Sequence, residues 1–320
     1  MRIYPDQFTR SAVKAQEALP GDWDYVASIN SKWHYDPADP NNDTSTEVVT
    51  NPVREWEAIK QARIPVYNLA SPPWMTVDRN LRTLFSYAEP GFIGVSDTQG
   101  DSLFYGSKAA TEVTGSWTIS DFPKDLKDAL YTGGKGKTFK AFPYGFFNMP
   151  SMQGAYVEAP ARTISLPIGF LGFVQKTPQQ TAVDMNFMMW LTSPKGQEIA
   201  IEAGIKSPNG SVTPVAIKGV TLPGALGKEF AALKYIGNSE GAPTTAAEIA
   251  RGLGDYQPSV VAWVALAQKY LSGHMSTKAY AEASEANIQK YFVAALENVG
   301  NMTPADLKTP QKKPVPPVKQ

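Results

Sequence analysis

Cysteine is absent from the 320 residues, and histidine occurs only at His34 and His274. No disulfide can brace the fold, no thiolate can act as a nucleophile, and no Cys-ligated metal can form. The missing disulfides leave the compartment open, because an exported protein does not require them. An excess of charge is missing too: thirty Lys and Arg balance thirty Asp and Glu. Nothing in that balance would hold the chain on nucleic acid or an anionic bilayer, so the expected ligand is not a polyanion. No apolar run is long enough to span a membrane. The first ten residues, MRIYPDQFTR, lack a charged segment followed by an apolar one, and no export signal is read there. Neither an H-E-x-x-H helix nor a G-x-S-x-G elbow occurs, so no catalytic constellation, cofactor or metal is expected. TGGKGKT at 132–138 lacks the four-residue gap of a phosphate loop and reads as a turn.

What is present is a globular composition, 42% hydrophobic and 11% aromatic, in a length that allows one large domain or two lobes. The organising stretch runs from Ile164 to Pro214. It opens with an apolar run to Val174, rich in β-formers, that reads as a buried strand. Thr177 can then cap a helix beginning at Pro178, where the missing proline amide costs nothing. Val183, Phe187, Trp190 and Leu191 form one stripe of that helix, and Met185, Met188 and Met189 the opposite side, so cover is expected on more than one face. Ser193-Pro194 repeats the device for a second helix, expected to stop at Gly204.

Elsewhere, Asn51-Pro52 starts a helix to about Ala62, with Trp56 expected in the core. Short helices are expected over 78–87 and 97–106, and Lys108 to Val113 reads as a strand ending at Gly115-Ser116-Trp117. Phe139 to Pro150 is β-like, with Tyr144 at its turn. Helices are expected near 226–235, 258–271 and 277–299, the last with Ala281, Ile288, Phe292, Ala295 and Val299 on its core face. Asp36, Asp39, Asn41 and Asp43 lack the glycine and bidentate glutamate of a calcium loop and read as turn formers. Residues 301–320, rich in proline and lysine, read as a disordered tail.

Three stretches carry a resemblance: KTPQQTAVDMNFMMWLTSPKGQEIAIEAG from 176 to 204, LFYGSKAATEVTGSW from 103 to 117, and YQPSVVAWVALAQKYLSGHMSTKAYAEASEANIQKYF from 256 to 292. Together they resemble the extracellular solute-binding proteins of ABC importers, in the sugar-binding branch similar to the maltose-binding protein. Thr111 stands where that family usually has methionine. The resemblance implies an α/β, periplasmic-binding-protein-like type II fold of two lobes with the first lobe incomplete. It puts residues 1–161 and 215–300 in the second lobe and 162–214 in a segment returning to the first. It also implies a sugar or oligosaccharide ligand, ABC permease subunits as membrane partners, no nucleic acid, and a periplasmic or extracellular location with membrane anchoring of the full-length form.

The resemblance marks Trp117, in its G-S-W loop with Ser116, as the leading ligand contact, and Trp263 as the second. Position on loops adds Trp33, Trp74 and Tyr144, because flat rings suit the C–H faces of a sugar while Asp and Arg take its hydroxyls. Trp74, after Ser71-Pro72-Pro73, is either a lid on the core or a ligand platform. Asp121 and Arg162 are the candidate polar partners, and Trp23, Trp56 and Trp190 are assigned to the core. A glycoside hydrolase, which needs only two carboxyl groups, and a non-catalytic interaction module stand as alternatives.

Overall fold

A computed structural model describes all residues except 1–2, 63–66, 165–173, 175–176, 208–209, 211, 213–216, 218, 223, 240–251, 255 and 318–320. It divides into two compact units. One comprises residues 1–88, 149–166 and 235–320, and the other residues 89–148 and 167–234.

In the first unit, α1 (Ile3–Thr9) continues through a short 3-10 turn into α2 (Val13–Gln16), and α3 (Ala27–Asn30) follows. Then come α4 (Pro52–Gln61) and α5 (Pro72–Phe85), and late in the chain α12 (Gln257–Leu271) and α13 (Thr277–Asn298). Asn51 starts α4 by accepting hydrogen bonds from the Val53 and Arg54 amides, with Pro52 in the first turn. Ser276 caps α13 through the Ala279 amide. Val53, Trp56 and Ile59 of α4 pack with Ile288, Phe292, Ala295 and Leu296 of α13, and Trp56 meets Phe292 edge-on at 5.6 Å between ring centres. Met302 and Leu307 belong to the same core. Within the stretch read as a disordered tail, these two apolar side chains tie the chain down before the prolines begin.

The second unit holds α6 (Asp97–Tyr105), α7 (Thr118–Asp125), α8 (Ala129–Thr132), α9 (Pro178–Leu191), α10 (Pro194–Lys206) and α11 (Gly224–Ala232). Ser96 and Gln99 form a capping box on α6. Thr177 caps α9 through the Gln180 amide and Ser193 caps α10 through the Gly196 amide, each with proline following. Gly204 does not end α10, which runs on to Lys206. α7 serves two cores. Ile119 packs with Ile201, Val212 and Phe230, while Phe122 packs with Tyr105 and Leu126.

The expected α/β fold is overturned. The structure is 51% helix, and among the described residues there is no sheet and the strand-type pairing is one antiparallel bridge, Glu17 with Thr50. Residues 109–115 and 139–150 are neither helix nor strand and join no ladder. A strand exists only through a neighbour that takes its amides and carbonyls, and β-forming side chains do not supply that neighbour. The apolar run after Ile164 lies almost wholly outside the described residues. α9 departs from expectation as well: Asp184 is its buried residue, while Val183, Phe187, Met189 and Trp190 are exposed, the last at 44%. Trp23, also assigned to the core, is exposed.

Candidate functional site

In the second unit, Gly115-Ser116-Trp117 leads directly into α7. The Trp117 backbone is already helical, at φ −60° and ψ −34°, and the Thr118, Ile119 and Ser120 amides bond back to the Gly115, Ser116 and Trp117 carbonyls at 3.1–3.3 Å. The Thr114 and Thr118 hydroxyls meet at 2.8 Å across this entry turn. Trp117 is 49% exposed. A Cβ built on Gly115 would fall 2.0 Å from the six-membered ring of the indole. Glycine at 115 therefore leaves room for the indole to lie back over the chain as a ledge. Asp121 is one helical turn further on, the spacing that puts two side chains on the same face. Ser120 anchors this turn. Its hydroxyl accepts from the Val212 amide at 2.9 Å and lies 3.0 Å from the Asp121 carboxylate.

Tyr144 belongs to an aromatic wall in the same unit. Its ring lies 4.2 Å from that of Phe122 and 5.3 Å from that of Phe146. Behind that wall is a carboxyl cluster the sequence did not reveal. The Tyr105 hydroxyl donates to Asp125 at 2.9 Å. Glu112 is hydrogen-bonded to Asp101, and its pKa is pushed up to about 8, first by burial, then by that bond and the charges of Asp101 and Asp125. These acids come from 101, 112 and 125, with no motif to connect them.

In the first unit the remaining candidates scatter. The Trp33 indole N–H donates to the Asn42 carbonyl at 2.7 Å. Asp36 and Asp39 accept from the Ala38 and Asn41 amides at 2.8 Å each, which is the turn chemistry expected. Among the described residues no group of His, Asp or Glu could hold a metal ion. Trp74 is 4% exposed and lies in the core. Of its two readings the structure gives the core one, because Pro72 and Pro73 open α5 where the sequence suggested a break. Arg162 is no loop-borne ligand group. It is buried, with Nη1 and Nη2 on Asp43 at 2.6 and 2.9 Å, Nε and Nη2 on Asp6 at 3.0 and 2.5 Å, and the Pro40 carbonyl at 3.1 Å. Burial opposes its charge, but the hydrogen bonds to Asp43 and Asp6 prevail and raise its pKa. Gly237, at φ +58°, passes so close that a Cβ would meet the Pro40 carbonyl oxygen and the Arg162 side chain.

Trp263 is half-buried on α12 and hydrogen-bonded to Tyr280. Tyr280 stacks on Tyr270 at 4.5 Å, nearly parallel, and both feel the charge of Asp78 from α5. Burial raises the Asp78 pKa to about 7, with Arg79 opposing.

The structure thus places Trp117 and Asp121 at the i, i+4 spacing along the start of α7, with Ser116 just before it. Tyr144 shares their unit, whereas Trp33, Trp74, Arg162 and Trp263 belong to the other. No family model, curated protein or solved structure matches the chain.

Proposed function

We propose that the chain binds a neutral, hydroxyl-rich solute of the carbohydrate class, with the Trp117 indole as its stacking surface. The observation that carries this reading is the half-exposed indole laid over Gly115, with Asp121 four residues further along α7. A fixed aromatic ledge stacks on the C–H face of a ring at little entropic cost, and neighbouring oxygens take the hydroxyls. The balanced charge of the chain suits an uncharged ligand. The resemblance of the three sequence stretches supports the wider role: solute capture outside the cytoplasm and delivery to the membrane permease subunits of an ABC importer. That role is proposed on sequence and on the site, not on a shared architecture.

Hydrolysis is the weaker reading. Glu112 and Asp101 are in hydrogen-bond contact, whereas the two carboxyls of a glycosidase stand at least about 5 Å apart to admit the scissile bond. A calorimetric screen of mono- and oligosaccharides against the chain and its Trp117→Ala form tests the proposal. Saturable heat from at least one sugar, lost in the variant, is expected. Turnover of a chromogenic glycoside would favour the hydrolase instead.

A further inference from the structure

Residues 313–317, KPVPP, form a proline-rich stretch that solute binding leaves unused. Proline rings hold φ near −65° at Pro314, Pro316 and Pro317. A residue that precedes proline is driven to extended or polyproline conformations, which applies to Lys313, Val315 and again Pro316. Covalent geometry alone thus sets the whole of Lys313–Pro317 toward a left-handed polyproline helix of three residues per turn, with Pro314 and Pro317 along one edge. In the structure these five residues are neither helix nor strand; Val315 is 77% exposed, and Pro314 and Pro317 are half-buried. Their root is fixed. Leu307 is buried in the core, the Asn51 side-chain amide donates to the Pro310 carbonyl at 2.9 Å, and the Lys313 ammonium lies 5.6 Å from the Trp23 ring centre. A stiff rod on a fixed base loses little entropy when a partner takes hold of it. The surrounding charge has one sign: after Asp306 come Lys308, Lys312, Lys313 and Lys319, with no acid among them.

We propose that Pro314-Val315-Pro316-Pro317 is a docking motif for a protein domain whose groove is lined by aromatic rings and bordered by acidic side chains. The P-x-x-P edge fits between such rings, and Lys312, exposed two residues before Pro314, is spaced to meet an acid at the end of the groove. An anionic surface would read the lysines but not the prolines.

The full chain is titrated by calorimetry with a panel of polyproline-reading domains of the SH3 and WW types that carry acidic groove margins. The Pro314→Ala/Pro317→Ala and Lys312→Ala/Lys313→Ala forms, matched to the parent in thermal unfolding, run beside it. Saturable binding by at least one domain, weakened tenfold or more by the proline changes, is expected. Two results overturn the proposal. One is the absence of saturable binding across the panel. The other is binding that survives the proline changes, disappears with the lysine changes and is reproduced by vesicles of anionic lipid.

Discussion

Arg162 grips Asp43 with both terminal nitrogens, Nη1 on Oδ1 at 2.6 Å and Nη2 on Oδ2 at 2.9 Å. The fork is planar and charge-assisted, and both partners are nearly sealed from water. With Asp6 on the other edge of the same guanidinium, one side chain ties together three segments of the first unit.

Replacing Arg162 by Met leaves Asp6 and Asp43 buried without it. Asp6 keeps Arg10 at 2.8 Å, but Asp43 loses its cation, and breaking a buried pair in this way typically costs about 3–5 kcal/mol because a buried charge is left without its partner. Urea unfolding of the Arg162→Met form should therefore show a large fall in midpoint, and Arg162→Lys a smaller one, since an ammonium cannot make the fork. A loss under about 1 kcal/mol for Met would show that the network is dispensable.

Asp78 gives the fold a pH dependence of definite sign. Its pKa in the folded chain is about 7 against the ordinary 3.8, so the native state holds the proton more tightly than the unfolded chain does. Stability is then highest at low pH on account of this group, declines as pH rises from about 4, and reaches its full cost above about 7. Asp78→Asn removes the ionisation and should raise the thermal midpoint at pH 8 while changing little at pH 4. The gain is bounded by about 4 kcal/mol, since each tenfold change in proton affinity between the folded and unfolded chain is worth about 1.4 kcal/mol. Equal effects at both pH values would show that the carboxyl is solvated in the fold.

Trp190 separates the sequence-based expectation from the structure. A tryptophan in a packed core costs about 3–5 kcal/mol when truncated. With 44% of its surface exposed, the Trp190→Ser form should lose no more than about 1–2 kcal/mol in urea unfolding, in proportion to the apolar area that is covered. A core-sized loss would mean that α9 is covered in solution.

Helix starts were legible because capping is local. Thr177-Pro178, Ser193-Pro194 and Asn51-Pro52 each announce a helix within a few residues of themselves, and all three helices begin there. Sheet was misread because it is not local: 108–113 and 139–150 have the residues of strands but, among the described residues, no neighbouring strand to pair with. Arg162 was misread for a related reason, since Asp6 and Asp43 lie 156 and 119 positions away and nothing near Arg162 announces them. Trp74 was ambiguous because Pro-Pro both breaks a preceding chain and opens a following helix. Trp117 was expected on a loop at the end of a strand and instead sits at the entry of α7, and the acids at 101, 112 and 125 left no trace as a motif.

The central claim rests on one indole, and one comparison tests it: the dissociation constant for the best-binding saccharide, measured by tryptophan fluorescence and calorimetry, in the parent chain and in Trp117→Ala. A stacked ring of this kind is worth about 1.4 kcal/mol or more at a binding surface, which is tenfold in affinity. The account predicts at least that tenfold loss with an unchanged urea midpoint. It also predicts a similar loss for Gly115→Ala, whose Cβ would displace the indole. Equal affinity in the parent and Trp117→Ala chains, or no saccharide bound by the parent at all, would contradict it.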